Sequence, residues 1–144
     1  MGTKRGVSGL LTRGEGFETA MIDILSAEDD DALRRYLTQA LEQAGYCVVA
    51  VEDGARALAI VETGEPFDLL LTDVNMPNLD GVELARRVTA LQPDMAVMFI
   101  TGFSAARLKP GDTLQGAPIL AKPFHLKELV DQVDRVLQVA PALS

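Results

Sequence analysis

The sequence predicts an α/β fold: a doubly wound parallel sheet of five strands in a (βα)5 order, with an irregular fourth helix. Three observations carry this. Short apolar runs alternate with longer stretches whose apolar residues recur every three or four positions. The short runs are nearly continuous in apolar residues, as in parallel strands covered on both faces. Polar residues gather where those runs end, the side on which open α/β sheets bind ligands.

Each element follows in order. Ile22–Ala27 has few polar breaks and reads as a buried first strand. Leu33, Tyr36, Leu37, Ala40, Leu41 and Ala44 form one face of a helix, and Gly45 stands where a C′ glycine ends it. Tyr46–Val51 is β-branched and apolar, a second strand. A helix entered at Asp53-Gly54 continues through Ala55, Leu58 and Ala59. Phe67–Thr72 is a third strand ending in Asp73. Leu84, Ala85, Val88 and Leu91 make the next helix stripe. Met95–Thr101 is a fourth strand and Ile119–Ala121 a short fifth one. Leu126, Leu129, Val130, Val133, Val136 and Leu137 form a strong final helix. Between Thr101 and Ile119 a helix is due. Only Ala105, Ala106 and Leu108 suggest it before Pro110-Gly111, and proline breaks a helix interior at a cost of about 3 kcal/mol.

The chain has 144 residues, enough for one domain with a real core. Residues 1–20 hold five of the twelve glycines without sustained periodicity, and read as a disordered extension, an over-called start or a leader. Residues 21–140 form the domain and 141–144 a tail. The net charge is −8; residues 1–20 contribute +1 (three cations, two acids), so the remainder carries −9. That balance argues against nucleic acid and anionic membrane partners, which need clustered cations. One cysteine and one histidine exclude an internal disulfide and a histidine- or cysteine-built metal site. No apolar run of about 18 residues is present, and residues 1–20 lack a secretory h-region, so a cytoplasmic protein is expected. Cys47, in an apolar strand, is expected to be buried and inert. His125 is expected at the surface or as a helix cap, and Phe103 as a partner contact.

The strand ends define a candidate site. The first ends in Glu28-Asp29-Asp30-Asp31, the third in Asp73 with Asn75 beyond it, the fourth in Thr101-Gly102, and the fifth in Lys122-Pro123. Taken singly, each has a bland explanation: acids favour helix N-termini, and Pro77, Asn78, Asp80 and Gly81 suit a turn. Taken together, they place carboxylates, a hydroxyl and a lysine on one rim. Like charges about 4 Å apart repel by roughly 4 kcal/mol at an effective dielectric of 20. A hard cation such as Mg²⁺ relieves this through oxygen ligands. A carboxylate among Mg²⁺, a lysine and a hydroxyl is a nucleophile for a phosphoryl group.

The run Asp68-Leu-Leu-Leu-Thr-Asp73-Val-Asn-Met-Pro-Asn-Leu-Asp80-Gly81, with Glu28-Asp29-Asp30, Thr101-Gly102 and Lys122-Pro123-Phe124, resembles the receiver domains of bacterial two-component response regulators over residues 21–139. The resemblance implies a flavodoxin-like fold. It implies Asp73 as the phosphorylated residue, with Glu28, Asp29, Asp73 and the Asn75 backbone carbonyl holding Mg²⁺. It implies Thr101 on a phosphoryl oxygen, Lys122 paired with Asp73 and the phosphate, and a cis Lys122–Pro123 bond. The donor would be a histidine kinase or a histidine phosphotransfer protein. The wording of Phe67–Asp73, Val82–Arg87, Met98–Phe103 and Lys122–Leu126 is similar to stand-alone cell-cycle receivers, which implies an output through the ClpXP protease machinery.

Two positions depart from the family pattern. Ile119 stands where many receivers carry a switching aromatic, and the fourth helix is interrupted at Pro110-Gly111. After residue 140 only Pro-Ala-Leu-Ser remains, so the output expected is a protein contact and not a second reaction. Two alternatives come from other classes. A Mg²⁺-dependent phosphatase of the haloacid-dehalogenase type needs an acid two residues after its nucleophile, where this chain has Asn75. A phosphorylation-independent adaptor would keep the scaffold without using Asp73.

Overall fold

The computed structural model describes residues 22–102 and 113–138. Its elements are β1 (Asp23–Ala27), α1 (Asp31–Gln43), β2 (Cys47–Val51), α2 (Gly54–Glu62), β3 (Leu69–Asp73), α3 (Gly81–Leu91), β4 (Ala96–Thr101), β5 (Thr113–Leu114), β6 (Ala117–Ala121) and α4 (Leu126–Leu137). The sheet order is β2-β1-β3-β4-β6-β5. Every pairing is parallel except that of β5 with β6. The chain leaves β1 toward β2 on one side and returns to β3 on the other. The crevice between the carboxyl ends of β1 and β3 is therefore the switch point of the sheet.

β3 shows why the strands read as apolar runs. Its five residues are all buried. Leu69 and Leu71 join the layer between the sheet and α1 with α4, built on Ile24, Leu41, Met98 and Leu129. Leu70 joins the opposite layer with Leu58, Leu84, Val88 and Phe99 on the α2 and α3 side. A period-two backbone buried on both faces favours apolar residues at successive positions, here Leu69–Leu71, until the polar strand end at Thr72 and Asp73. An aspartate in the first three βα connections then starts the helix. Asp30, Asp53 and Asp80 accept the backbone N–H of Leu33, Arg56 and Glu83 at 2.9, 2.8 and 2.8 Å, which caps α1, α2 and α3.

Several expectations change. Cys47 is exposed, because β2 is an edge strand whose residues are mostly uncovered, Val49 included. An apolar sequence does not bury a strand that has a neighbour on one side only. In α2 the buried stripe is Gly54, Ala57, Leu58 and Val61, and Ala55 and Ala59 face outward. Leu91 and Leu126 are exposed ends of their helix stripes.

A sixth strand was not legible in the apolar pattern. Thr113–Leu114 runs antiparallel to Ala117–Pro118 across a two-residue turn, Gln115-Gly116, whose φ angles are +53° and +83°. Positive φ at both central residues matches the twist of a hairpin, and glycine takes that conformation without strain. The expected irregular fourth helix and the expected contact of Phe103 lie outside the described residues. So do the extension at 1–20 and the tail at 141–144. His125 is exposed and caps α4, its N–H donating to Glu128 Oε1 at 2.8 Å. Among the described residues, no helix is long and apolar enough to cross a membrane.

Candidate functional site

The run Glu28–Asp31 divides between two tasks. Asp30 caps α1 and Asp31 lies in its first turn. Glu28 and Asp29 precede the helix at the end of β1, beside the end of β3, where Ala27 pairs with Thr72. Glu28 is buried, Asp29 is exposed, and Asp73 is buried at the last position of β3. Carboxylate oxygens of these three residues lie within 4.8 Å of one another. Helix capping therefore explains only half of the acidic run.

Lys122 follows β6 and reaches back across β4 to the acids. Its Nζ is 3.3 Å from Asp73 Oδ2 and 3.7 Å from Glu28 Oε1. The Lys122 N–H donates to the Thr101 carbonyl at 2.8 Å, which fixes the two strand ends together. Gly102 clears the path of the lysine stem: a Cβ there would stand 3.2 Å from Lys122 Cδ. The Lys122–Pro123 bond is cis. Thr101 is buried at the end of β4. Asn75 lies two residues past Asp73, and its N–H approaches Asp73 Oδ1 at 3.3 Å. Ile119 is half-buried, in register with Phe99.

The charges do not balance. Three carboxylates face one ammonium. Burial, as the largest cause, pushes the Glu28 carboxyl up from 4.5 to about 7, and Asp73 and Asp29 add to this, while the Asp30 N–H and Lys122 oppose it. The Asp30 N–H donates to Glu28 Oε2 at 3.0 Å. The other oxygen, Oε1, is buried without a hydrogen bond. A buried carboxylate oxygen left in this way costs free energy unless something else binds it. The donor set is all oxygen, anionic and clustered, and so fits a hard divalent cation of the Mg²⁺ kind.

Three residues that support the site escaped the sequence reading. The Thr72 hydroxyl donates to the Asp73 carbonyl at 2.9 Å. A Cβ at Gly81 would lie 2.0 Å from that same carbonyl oxygen, so only glycine lets α3 start there. Arg34 Nη1 donates to the Glu28 carbonyl at 2.9 Å. Thr72 precedes the acceptor directly and Gly81 closes the turn-rich run after it, so both could have been suspected. Nothing in the spacing links Arg34 to Glu28 apart from its place on the first turns of α1.

The family model for the response regulator receiver domain matches residues 24–134. The chain is 51% identical over 118 residues to the response regulator receiver protein CpdR of Brucella abortus, covering 81% of this chain and 98% of that protein. It is 37% identical over 119 residues to the sensor kinase CckA of the same organism, but spans only 12% of that kinase. The crystal structure of a response regulator receiver protein from Sinorhizobium medicae superposes with a TM-score of 0.72 at 30% identity, covering 81% of this chain and 94% of that one. The chain belongs to the response-regulator receiver domain family, and its flavodoxin-like sheet carries that family's phosphoryl-accepting function.

Proposed function

We propose that Asp73 is the phosphoryl acceptor of a signalling switch. The carrying observation is the Lys122 ammonium 3.3 Å from Asp73 Oδ2, beside a Glu28 oxygen that has no hydrogen bond. Asp73 Oδ attacks the phosphorus of a phosphohistidine on a histidine kinase or histidine phosphotransfer protein. The O–P bond forms as the P–N bond breaks, and the imidazole leaves with the electron pair and takes up a proton. Lys122, paired with the Asp73 carboxylate before transfer, then pairs with the anionic phosphoryl oxygens that the reaction brings to it. The Thr101 hydroxyl, at the end of the neighbouring strand, donates to a phosphoryl oxygen. Glu28, Asp29, Asp73 and the Asn75 carbonyl would hold Mg²⁺, which supplies positive charge to the phosphoryl oxygens when bound.

The chain acts as an acceptor and not as a turnover enzyme. Asn75 stands where a phosphatase of similar chemistry needs an acid. Its output is a contact with a protein in the cytoplasm. The likeness to CpdR, over nearly all of that protein's length, makes the ClpXP protease machinery the first partner to assay. Incubation with Mg²⁺ and acetyl phosphate adds the mass of one phosphate, and Asp73→Ala abolishes the addition. A phosphate that persists in Asp73→Ala overturns this reading.

A further inference from the structure

The loop between β3 and α3 carries Asn75, and two ladder-like contacts hold its ends. The Val74 N–H donates to the Ile100 carbonyl at 3.0 Å, and the Gly81 N–H to the Val74 carbonyl at 2.8 Å. Its middle is held from a different element. The Asn78 side-chain amide donates to Asp53 Oδ2 at 3.0 Å. The other oxygen of the same carboxylate, Oδ1, accepts the Arg56 N–H at 2.8 Å and caps α2. Asn78 adopts φ +71°, a conformation asparagine tolerates better than most residues. Next to Asp53, a Cβ on Gly54 would lie 2.3 Å from the Leu79 carbonyl oxygen, so the first turn of α2 touches the loop backbone directly.

Helix capping alone does not require an aspartate at position 53. Serine caps as well, through one oxygen. What serine lacks is the second oxygen, and that is the atom that holds Asn78. We infer that Asp53 is a positioning residue: through Asn78 it clasps the loop 74–80 to the N-terminus of α2 and so sets the Asn75 carbonyl for the metal. This rests on the acceptor reading above, because the loop matters to function only if Asn75 faces a bound cation. The consequence is a mechanical link from α2, which contributes no residue to the acidic cluster, to the loop that follows Asp73.

A double-mutant cycle tests the clasp on the full chain. Asp53→Ser keeps the cap and removes the second oxygen. Asn78→Gly removes the amide and relaxes the positive φ. Two readouts are taken: amide hydrogen exchange at Asn75 and Leu79 in metal-free protein, and Mg²⁺ affinity by calorimetry. Each single variant is expected to speed exchange and weaken Mg²⁺ binding by about two- to tenfold, the effect of losing one hydrogen bond. The double variant is expected to be no worse than the stronger single, because both remove the same contact. Additive effects, or wild-type exchange and affinity in both singles, overturn the clasp. If the wild type binds no Mg²⁺ while the exchange effects remain non-additive, the acceptor reading fails and the clasp stands as a loop anchor.

Discussion

The two ends of the sheet treat acids in opposite ways. At the amino end, Asp68 accepts the Asp23 N–H at 2.8 Å, and the Tyr46 hydroxyl donates to Asp134, joining the entry of β2 to α4 across 88 residues of sequence. At the carboxyl end, Glu28 is buried like Asp134, yet one of its oxygens has no hydrogen bond and its carboxyl is pushed up to about 7. Asp134 is answered by a donor from the same protein. Glu28 is answered only in part, by a lysine at 3.7 Å and a backbone N–H. Burial is therefore no guide to the role of an acid here. Whether each of its buried oxygens finds a hydrogen bond is.

The largest test of this contrast is Glu28→Gln. Loss of one anionic ligand is expected to weaken Mg²⁺ binding about 100-fold, an effect of the size seen when metal-site partners are removed. The same change should stabilise the metal-free protein. A carboxyl raised from 4.5 to about 7 favours its protonated form in the native state, so its contribution is intact below pH 4.5 and is lost as pH rises through 7. At pH 8 the neutral amide avoids that loss, worth about 3 kcal/mol at roughly 1.4 kcal/mol per pKa unit. Chemical denaturation with chelator present reads the gain; a loss of stability instead would place Glu28 with the structural acids.

The same proton sets a pH dependence for the metal. Mg²⁺ must displace it, so apparent affinity should rise by up to about tenfold per pH unit toward pH 7 and level off above it. Calorimetry at several pH values checks the slope. A flat profile from pH 5 to 8 (on the order of threefold change or less) would mean that Glu28 is already ionised before the metal arrives.

At the other end, Tyr46→Phe should reverse the pattern. The lost hydrogen bond to a buried carboxylate costs about 1.5–3 kcal/mol of stability, and Mg²⁺ affinity should not change, since the pair sits at the far end of the strands. A drop in metal affinity without a drop in the denaturation midpoint would break the division between the two ends.

How much of this was visible in the sequence also follows the two ends. β3 and the acids after β1 were legible because burial on both faces forces five apolar or site residues in a row, with Asp73 at the end. The site residues Glu28, Asp29, Asp73 and Lys122 do converge, as their positions at strand ends implied. Edge effects were not legible. Cys47 looks like a core residue in Cys-Val-Val-Ala-Val, and only the sheet order shows that β2 has one neighbour. The β5–β6 hairpin is two residues long on one side, too short for any periodicity, and only the Gln115-Gly116 turn signals it. Long-range polar pairs were invisible as well. Tyr46 and Asp134 lie on separate elements, and Asp134 falls inside an amphipathic helix where an acid reads as solvent-facing.

The smallest expected effect sharpens the comparison most. Glu83 on α3 accepts hydrogen bonds from Arg86 and Arg87, which hold its carboxyl down from 4.5 to about 2. The displacement from 4.5 matches that of Glu28 in size and is opposite in sign. By sign, Glu83 would add stability above pH 4.5 and lose it as pH falls through 2. The Glu83 side chain is half-buried, but Arg86 and Arg87 are 64% and 50% exposed, so water and salt screen the cluster. Glu83→Gln should therefore leave the denaturation midpoint at pH 7 and about 0.15 M salt where the wild type has it. A shift as large as that of Tyr46→Phe would show that the Glu83–Arg86–Arg87 cluster holds α3 in place. The displacement of a carboxyl pKa would then matter on the surface as it does in the crevice, and a missing hydrogen bond would no longer be what sets Glu28 apart.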